Sequence, residues 1–234
     1  MKNGLLKLLT VALTGAVLFA GCGKIDSNAT LVTITNDGAV EKITLGYGNF
    51  VARYTQALYD SYYGSVLSDG FWDNDMYGNG NTMEQDTKDA VLDEMKTYYL
   101  CKLHADEYGV SLNEEQTEMI EDAVAQFMSD NDDEGLKEVG ATEEYVRDYL
   151  TYRTYYVLVK EQIDAEETEE TEESEETEES SDDEETTSHF EEKTSEWEAA
   201  ITWTVDEKQW EKVKFENKFV APETSSETEE TAEE

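Results

Sequence analysis

Residues 82–115 read TMEQDTKDAVLDEMKTYYLCKLHADEYGVSLNEE. Thr82 followed three residues later by Gln85 is a capping box, the reciprocal pairing that opens a helix. Beyond it, Ala90, Val91, Met95, Tyr98, Tyr99, the stem of Lys102 and Ala105 recur at steps of three and four, so one face of a helix is apolar. Gly109 ends that helix, because glycine takes the left-handed C′ position at little cost. Ser111 and Glu114 repeat the capping pattern and predict a second helix over 112–130, with Met119, Ile120, Val124, Phe127 and Met128 turned inward. Two amphipathic helices set back to back make the fold class mainly α.

The neighbouring segments agree. Upstream, Phe50, Tyr54, Ala57, Leu58 and Tyr62 predict a helix over 49–67. Before it, Leu31–Thr35 and Val40–Leu45 are β-branched runs around Asn36-Asp37-Gly38, a turn signal, and predict a short N-terminal β-hairpin. Downstream, Gly135 and Gly140 punctuate a link. Thr142 then caps a helix running through Tyr145, Tyr149, Tyr152 and Tyr156 to about Ile163. After an acidic run, Ser188 to Ile201 reads as another helix and 202–205 as extended. Asp206 caps a short turn, and 213–220 reads as extended again. Residues 188–222 recover aromatics after that run: Phe190, Trp197, Trp203, Trp210, Phe215 and Phe219.

The chain has 234 residues, 57 acidic and 17 basic, for a net charge of −40. That balance argues against nucleic acid as a partner, since phosphate backbones are neutralised by Lys and Arg, and against electrostatic docking on anionic lipid. The acid is concentrated: residues 164–187 hold 15 acidic residues and no basic one, and 223–234 hold six glutamates. Such tracts repel themselves and bury nothing, so they are expected to be a disordered linker and tail. They would attract cations diffusely, without a cage.

Residues 1–21 carry Lys2 and Lys7 ahead of an apolar stretch from Leu8 to Ala20, too short for a comfortable membrane span. Leu18-Phe19-Ala20-Gly21-Cys22 resembles a bacterial lipoprotein signal. The resemblance implies cleavage before Cys22, lipidation of its sulfur, a tether over 22–30 and a position on the outer face of the cell membrane. The alternative is an ordinary secretory signal in which Cys22 is incidental.

Little in the chain looks catalytic. With two histidines no Ser/His/Asp set is assembled, and no phosphate-binding glycine motif is present. Cys101 is expected to be a buried apolar thiol. Cys101-x-x-His104 offers only two ligands for a metal. Asp73–Glu84 resembles an EF-hand loop, with Asp73, Asp75, Gly78, Asn81 and Glu84 in place but Tyr77 where an Asp or Asn belongs; a polar connection between helices explains the same residues. No metal and no cofactor is therefore assigned. The tyrosines are the more telling feature: fourteen, clustered at 59–63, 98–99 and 145–156. Tyrosine offers apolar area with a polar tip, suited either to core packing or to adaptable contact with polypeptide.

The order of these elements resembles the N-terminal domain of SurA/PrsA-type extracytoplasmic foldases. The similarity rests on Val32-Thr33-Ile34-Thr35-Asn36-Asp37-Gly38 with Ile43-Thr44-Leu45, on Ala105-Asp106-Glu107-Tyr108-Gly109-Val110-Ser111-Leu112-Asn113-Glu114-Glu115, and on Leu136-Lys137-Glu138-Val139-Gly140-Ala141-Thr142-Glu143-Glu144-Tyr145-Val146. It spans about 31–163. In that family a parvulin-type prolyl isomerase domain usually follows; here the acidic run stands in its place, so no isomerase residue carries over. Trp197–Phe215 resembles the segment that returns to complete the chaperone domain, which implies that 188–222 packs back on the helical domain. The resemblance implies a membrane-anchored chaperone for unfolded or nascent secreted polypeptides. Two alternatives stand beside it: a residual prolyl isomerase, and a scaffold lipoprotein with one envelope partner. The residues expected to line a peptide groove, or the core beneath it, are Phe50, Tyr54, Tyr62, Trp72, Tyr149 and Tyr156.

Overall fold

The computed structural model describes residues 25–64, 67, 69–174, 188–215 and 219. Cys22, the segment before it and the 223–234 tail lie outside these residues.

The chain is mainly helical around a small sheet. Strands β1 (Thr30–Asn36) and β2 (Ala39–Thr44) form the expected hairpin, in antiparallel register with Thr33 opposite Lys42. Its two-residue turn holds Asp37 at φ 47° and Gly38 at φ 85°, the double positive φ that matches the twist of the flanking strands. Seven α-helices follow among the described residues: α1 (Leu45–Tyr63), α2 (Met83–His104), α3 (Glu114–Asp130), α4 (Asp133–Val139), α5 (Glu143–Ser174), α6 (His189–Ala200) and α7 (Glu207–Trp210). Strand β3 (Thr202–Val205) lies between the last two and pairs antiparallel with β1, giving the order β2-β1-β3. The expected strand pair is thus a three-stranded sheet whose third member comes from the far end of the chain.

Several boundaries differ from expectation for identifiable reasons. α1 begins at Leu45, four residues before the predicted start. Thr44 caps it by accepting the Tyr47 N–H, and Ala29 and Ser27 carbonyls take the Leu45 and Gly46 N–H groups. Gly46 and Gly48 have low helix propensity, yet packing requires them. A Cβ at Gly48 would lie 2.2 Å from Leu31 Cδ2, and one at Gly46 would lie 2.3 Å from the Tyr145 hydroxyl.

The cap of α3 is Asn113 with Gln116, not Ser111 with Glu114. Both pairs satisfy the same pattern; Val110 is buried and Leu112 packs on the core, so 110–112 stay extended to deliver them. α4 fills the link that was read only as glycine punctuation. α5 runs to Ser174, eleven residues past the predicted end at 163, in keeping with the helix propensity of glutamate; the rest of the acidic run, 175–187, lies outside the described residues. Ala90, placed on the apolar stripe of α2, is exposed, and Lys88 is buried instead.

α2 and α3 both pack along α5, with α1 against α2 and α4. The core is Leu31, Val32 and Ile34 of β1, Phe50, Val51 and Tyr54 of α1, Leu100 and Cys101 of α2, Phe127 of α3, and Val159 and Ile163 of α5. The C-terminal segment closes it. Phe190 and Trp197 of α6, Trp210 of α7, and Val213, Phe215 and Phe219 beyond it are all buried. No helix of the described residues is long and apolar enough to cross a membrane.

Candidate functional site

A cleft of about 290 Å³ opens where the end of β2, the first turn of α1, α2 and α5 converge. Helical spacing builds it. Tyr145, Asp148 and Tyr152 share one face of α5 at steps of three and four, and Met95 and Tyr99 share one face of α2. Tyr47 enters from α1 and Lys42 from β2. Four tyrosines therefore line a cleft whose rim carries Glu144, Asp148 and Lys42.

The rings are mutually placed. Tyr47 meets Tyr145 edge-on at 6.1 Å and Tyr152 at 6.4 Å, separations at which aromatic pairs attract beyond their buried area. The Lys102 ammonium sits 4.5 Å from the Tyr152 ring centre, a cation–π distance.

The electrostatics hold Tyr47, Tyr99 and Tyr152 neutral. Burial, then the charge of Glu41 and a hydrogen bond to it, pushes Tyr99 up to about 12. Burial, then Tyr152 and Asp148, holds Tyr47 well above the usual tyrosine value. Tyr152 is raised by burial, Asp148 and Glu41. The Asp148 carboxyl is raised by burial and by Glu144, against the pull of Lys102 and Arg147. A phenol shifted upward donates hydrogen bonds and offers its π face; it is not an activated base or nucleophile. The cleft is built to hold a side chain, with aromatic faces for apolar or cationic groups and carboxylates at the rim for a basic one.

The six aromatics singled out from the sequence do not meet in one groove. Phe50 and Tyr54 are 1% and 2% exposed; they stack on each other and meet Phe127 and Tyr149 edge-on inside the helical layer. Trp72 is buried against Phe215 at 4.9 Å. Tyr156, half-buried, packs on Tyr98 and Phe190. Tyr62 is 69% exposed near the end of α1, in a run with Tyr59 and Tyr63. None of the six lines the cleft. Of the residues that do, Tyr99, Tyr145 and Tyr152 stood in the noted tyrosine clusters, whereas Tyr47 lay unremarked between two glycines.

The remaining motifs are structural. The Cys101 thiol is buried, and burial pushes it up to about 12. His104 stacks flat on Trp197 at 4.5 Å and pairs with Glu107. In the EF-hand-like loop, Asp75 accepts the N–H groups of Gly78, Asn79 and Gly80, while Glu84 turns to Lys214 and the Phe215 N–H. Those oxygens serve protein donors. Among the described residues no cluster of three or more His, Cys, Asp or Glu is placed to hold a metal ion.

Comparison with known protein families, known sequences and solved structures returns no match for this chain.

Proposed function

We propose that this protein is a non-catalytic extracytoplasmic chaperone that holds unfolded or nascent secreted polypeptides and is tethered to the membrane by lipid on Cys22. The observation that carries the reading is the open tyrosine cleft. Aromatic faces and rim carboxylates suit transient, sequence-tolerant capture of side chains from an extended chain. The likeness of residues 31–163 to the SurA/PrsA N-terminal domain supports the same class. The surplus of negative charge would keep complexes soluble and favour basic clients.

The test is suppression of aggregation. The chain from Gly23 onward, without acyl chains, is mixed at equimolar ratio with a chemically unfolded client while light scattering is followed. Scattering should fall, and Tyr145→Ala with Tyr152→Ala should restore part of it without loss of fold. No suppression by the unaltered chain, even in excess, overturns the reading and leaves a single-partner scaffold in its place.

A further inference from the structure

Strand β2 is an edge of the sheet, and its register says which main-chain groups are free. Asn36 and Ala39 are partners across the two-residue turn, and in such a hairpin that pair exchanges both hydrogen bonds. The alternation then turns Ala39, Glu41 and Ile43 toward β1, and Val40 and Lys42 away from it. Val40 and Lys42 are exposed, and no group among the described residues bonds to their outward N–H and C=O. Main chain in this form is answered by an extended polypeptide laid alongside as a further strand.

The tyrosine cleft is continuous with this edge. Lys42, Ile43 and Thr44 of β2 form one of its walls, so a strand added to β2 would run along its mouth. β3 bounds the sheet on the other side, and none of its residues lines the cleft. The field inside is negative. The charged side chains that push the phenols upward are carboxylates: Asp148 and Glu94 at Tyr47, Glu41 at Tyr99, and Asp148 and Glu41 at Tyr152. Lys42 shares the rim and Lys102 lies over the Tyr152 ring. Even so, the side chains of Glu144 and Asp148, one turn apart on α5, form no hydrogen bond or ion pair among the described residues. Unpaired carboxylates at the mouth of an aromatic cleft suit a cationic side chain, and a guanidinium can meet both the carboxylate and the ring face.

We propose that β2 binds extended polypeptide by strand addition, with Val40 and Lys42 holding its main chain while the adjoining cleft takes one arginine or lysine side chain. The main chain supplies sequence-tolerant affinity, and the cleft supplies the preference for basic clients. The inference rests on the chaperone reading for its ligand class.

The probe is a fluorescein-labelled peptide, TVTRTVT, with TVTLTVT as its uncharged counterpart. In the unaltered chain, saturating TVTRTVT should slow hydrogen exchange at the Val40 and Lys42 amides by about tenfold or more and leave the β3 amides unchanged. Val40→Pro removes an outward N–H that the β1 ladder does not use, the position at which an edge strand accepts proline. By anisotropy it should weaken binding about tenfold, and Val40→Ala should not. Asp148→Asn should weaken binding of TVTRTVT about threefold and leave TVTLTVT unchanged. No binding at about 1 mM peptide, binding without slowed exchange at Val40 and Lys42, or an equal effect of Asp148→Asn on both peptides overturns the proposal. Exchange in the unaltered chain keeps the test valid if Val40→Pro fails to fold. Slowed exchange without suppression of aggregation keeps the edge site and removes the chaperone reading; suppression by a chain whose Val40 and Lys42 amides gain no protection does the reverse.

Discussion

Asp60→Ala tests how firmly the C-terminal segment is tied to the helical layer. Asp60 is 2% exposed. One carboxylate oxygen accepts the Trp72 indole N–H at 3.2 Å; the other accepts the Gln56 amide at 3.3 Å and the Phe219 N–H at 2.9 Å. Alanine leaves those donors facing a small void in a dry site. A buried donor without an acceptor costs about 1–3 kcal/mol. Removing a buried carboxylate regains some desolvation, so the net loss should be about 3 kcal/mol. For a domain of this size that lowers Tm by roughly 6–12 °C. Thermal unfolding followed by far-UV circular dichroism reads it directly. Phe219→Ala should lose its own ring contacts, and the double variant should fall short of the sum, since a released segment admits water to Asp60. A loss below about 1 kcal/mol for Asp60→Ala, or strict additivity with Phe219→Ala, would refute the claim that these bonds hold the segment.

Gly48→Ala should lower stability by about 1–2 kcal/mol although it raises helix propensity, because its Cβ would strike the fully buried Leu31; a higher Tm would mean α1 does not seat closely on β1. Cys101 should resist a thiol reagent at neutral pH and react at once in urea. Its raised value also means that its contribution to stability is complete below the ordinary thiol range and lost as pH climbs toward about 12, so alkaline unfolding should begin earlier than in Cys101→Ala. Burial raises the carboxyls of Glu94, Asp89 and Asp148. The folded chain binds those protons before the unfolded one, so their contribution to stability is lost as pH rises through the raised values and recovered as pH falls. Tm at pH 5 should therefore exceed Tm at pH 7, and a flat or falling profile would count against those shifts.

Local chemistry made most of the helices legible. Thr82 with Gln85, Thr142, Ser188 and Asp206 each cap the element they announce, because a cap is decided within four residues. The start of α1 was hidden for the opposite reason: Gly46 and Gly48 answer to Leu31 and Tyr145, which only the folded chain brings near. The cleft was half legible. A run of tyrosines on one helix announces a surface, but which rings face a cavity depends on Lys42 and Tyr47 arriving from β2 and α1. The clamp on the C-terminal segment was not legible at all. Arg53, Asp60 and Lys88 are residue types that belong to the surface by default, and the main-chain groups of the C-terminal segment that they meet lie more than 120 residues away.

The distribution of charge bears on that clamp. Residues 206–219 carry four lysines, Lys208, Lys212, Lys214 and Lys218, and four carboxylates, Asp206, Glu207, Glu211 and Glu216, so the acidic field of the chain exerts no net pull on the segment. Its hold is local. Lys214 pairs with Glu84, whose other oxygen holds the Phe215 amide, and Arg53, Lys88 and Asp60 meet main-chain groups of the same segment. Buried bonds are only weakly screened, whereas exposed pairs weaken as the Debye length shortens from about 14 Å to about 4 Å between 50 and 500 mM salt. Hydrogen-exchange protection of the Phe215 and Phe219 amides, taken relative to that of α5, should therefore change by less than about threefold over that range. A tenfold or larger loss of protection in high salt would place the attraction in the long-range field and remove the local clamp.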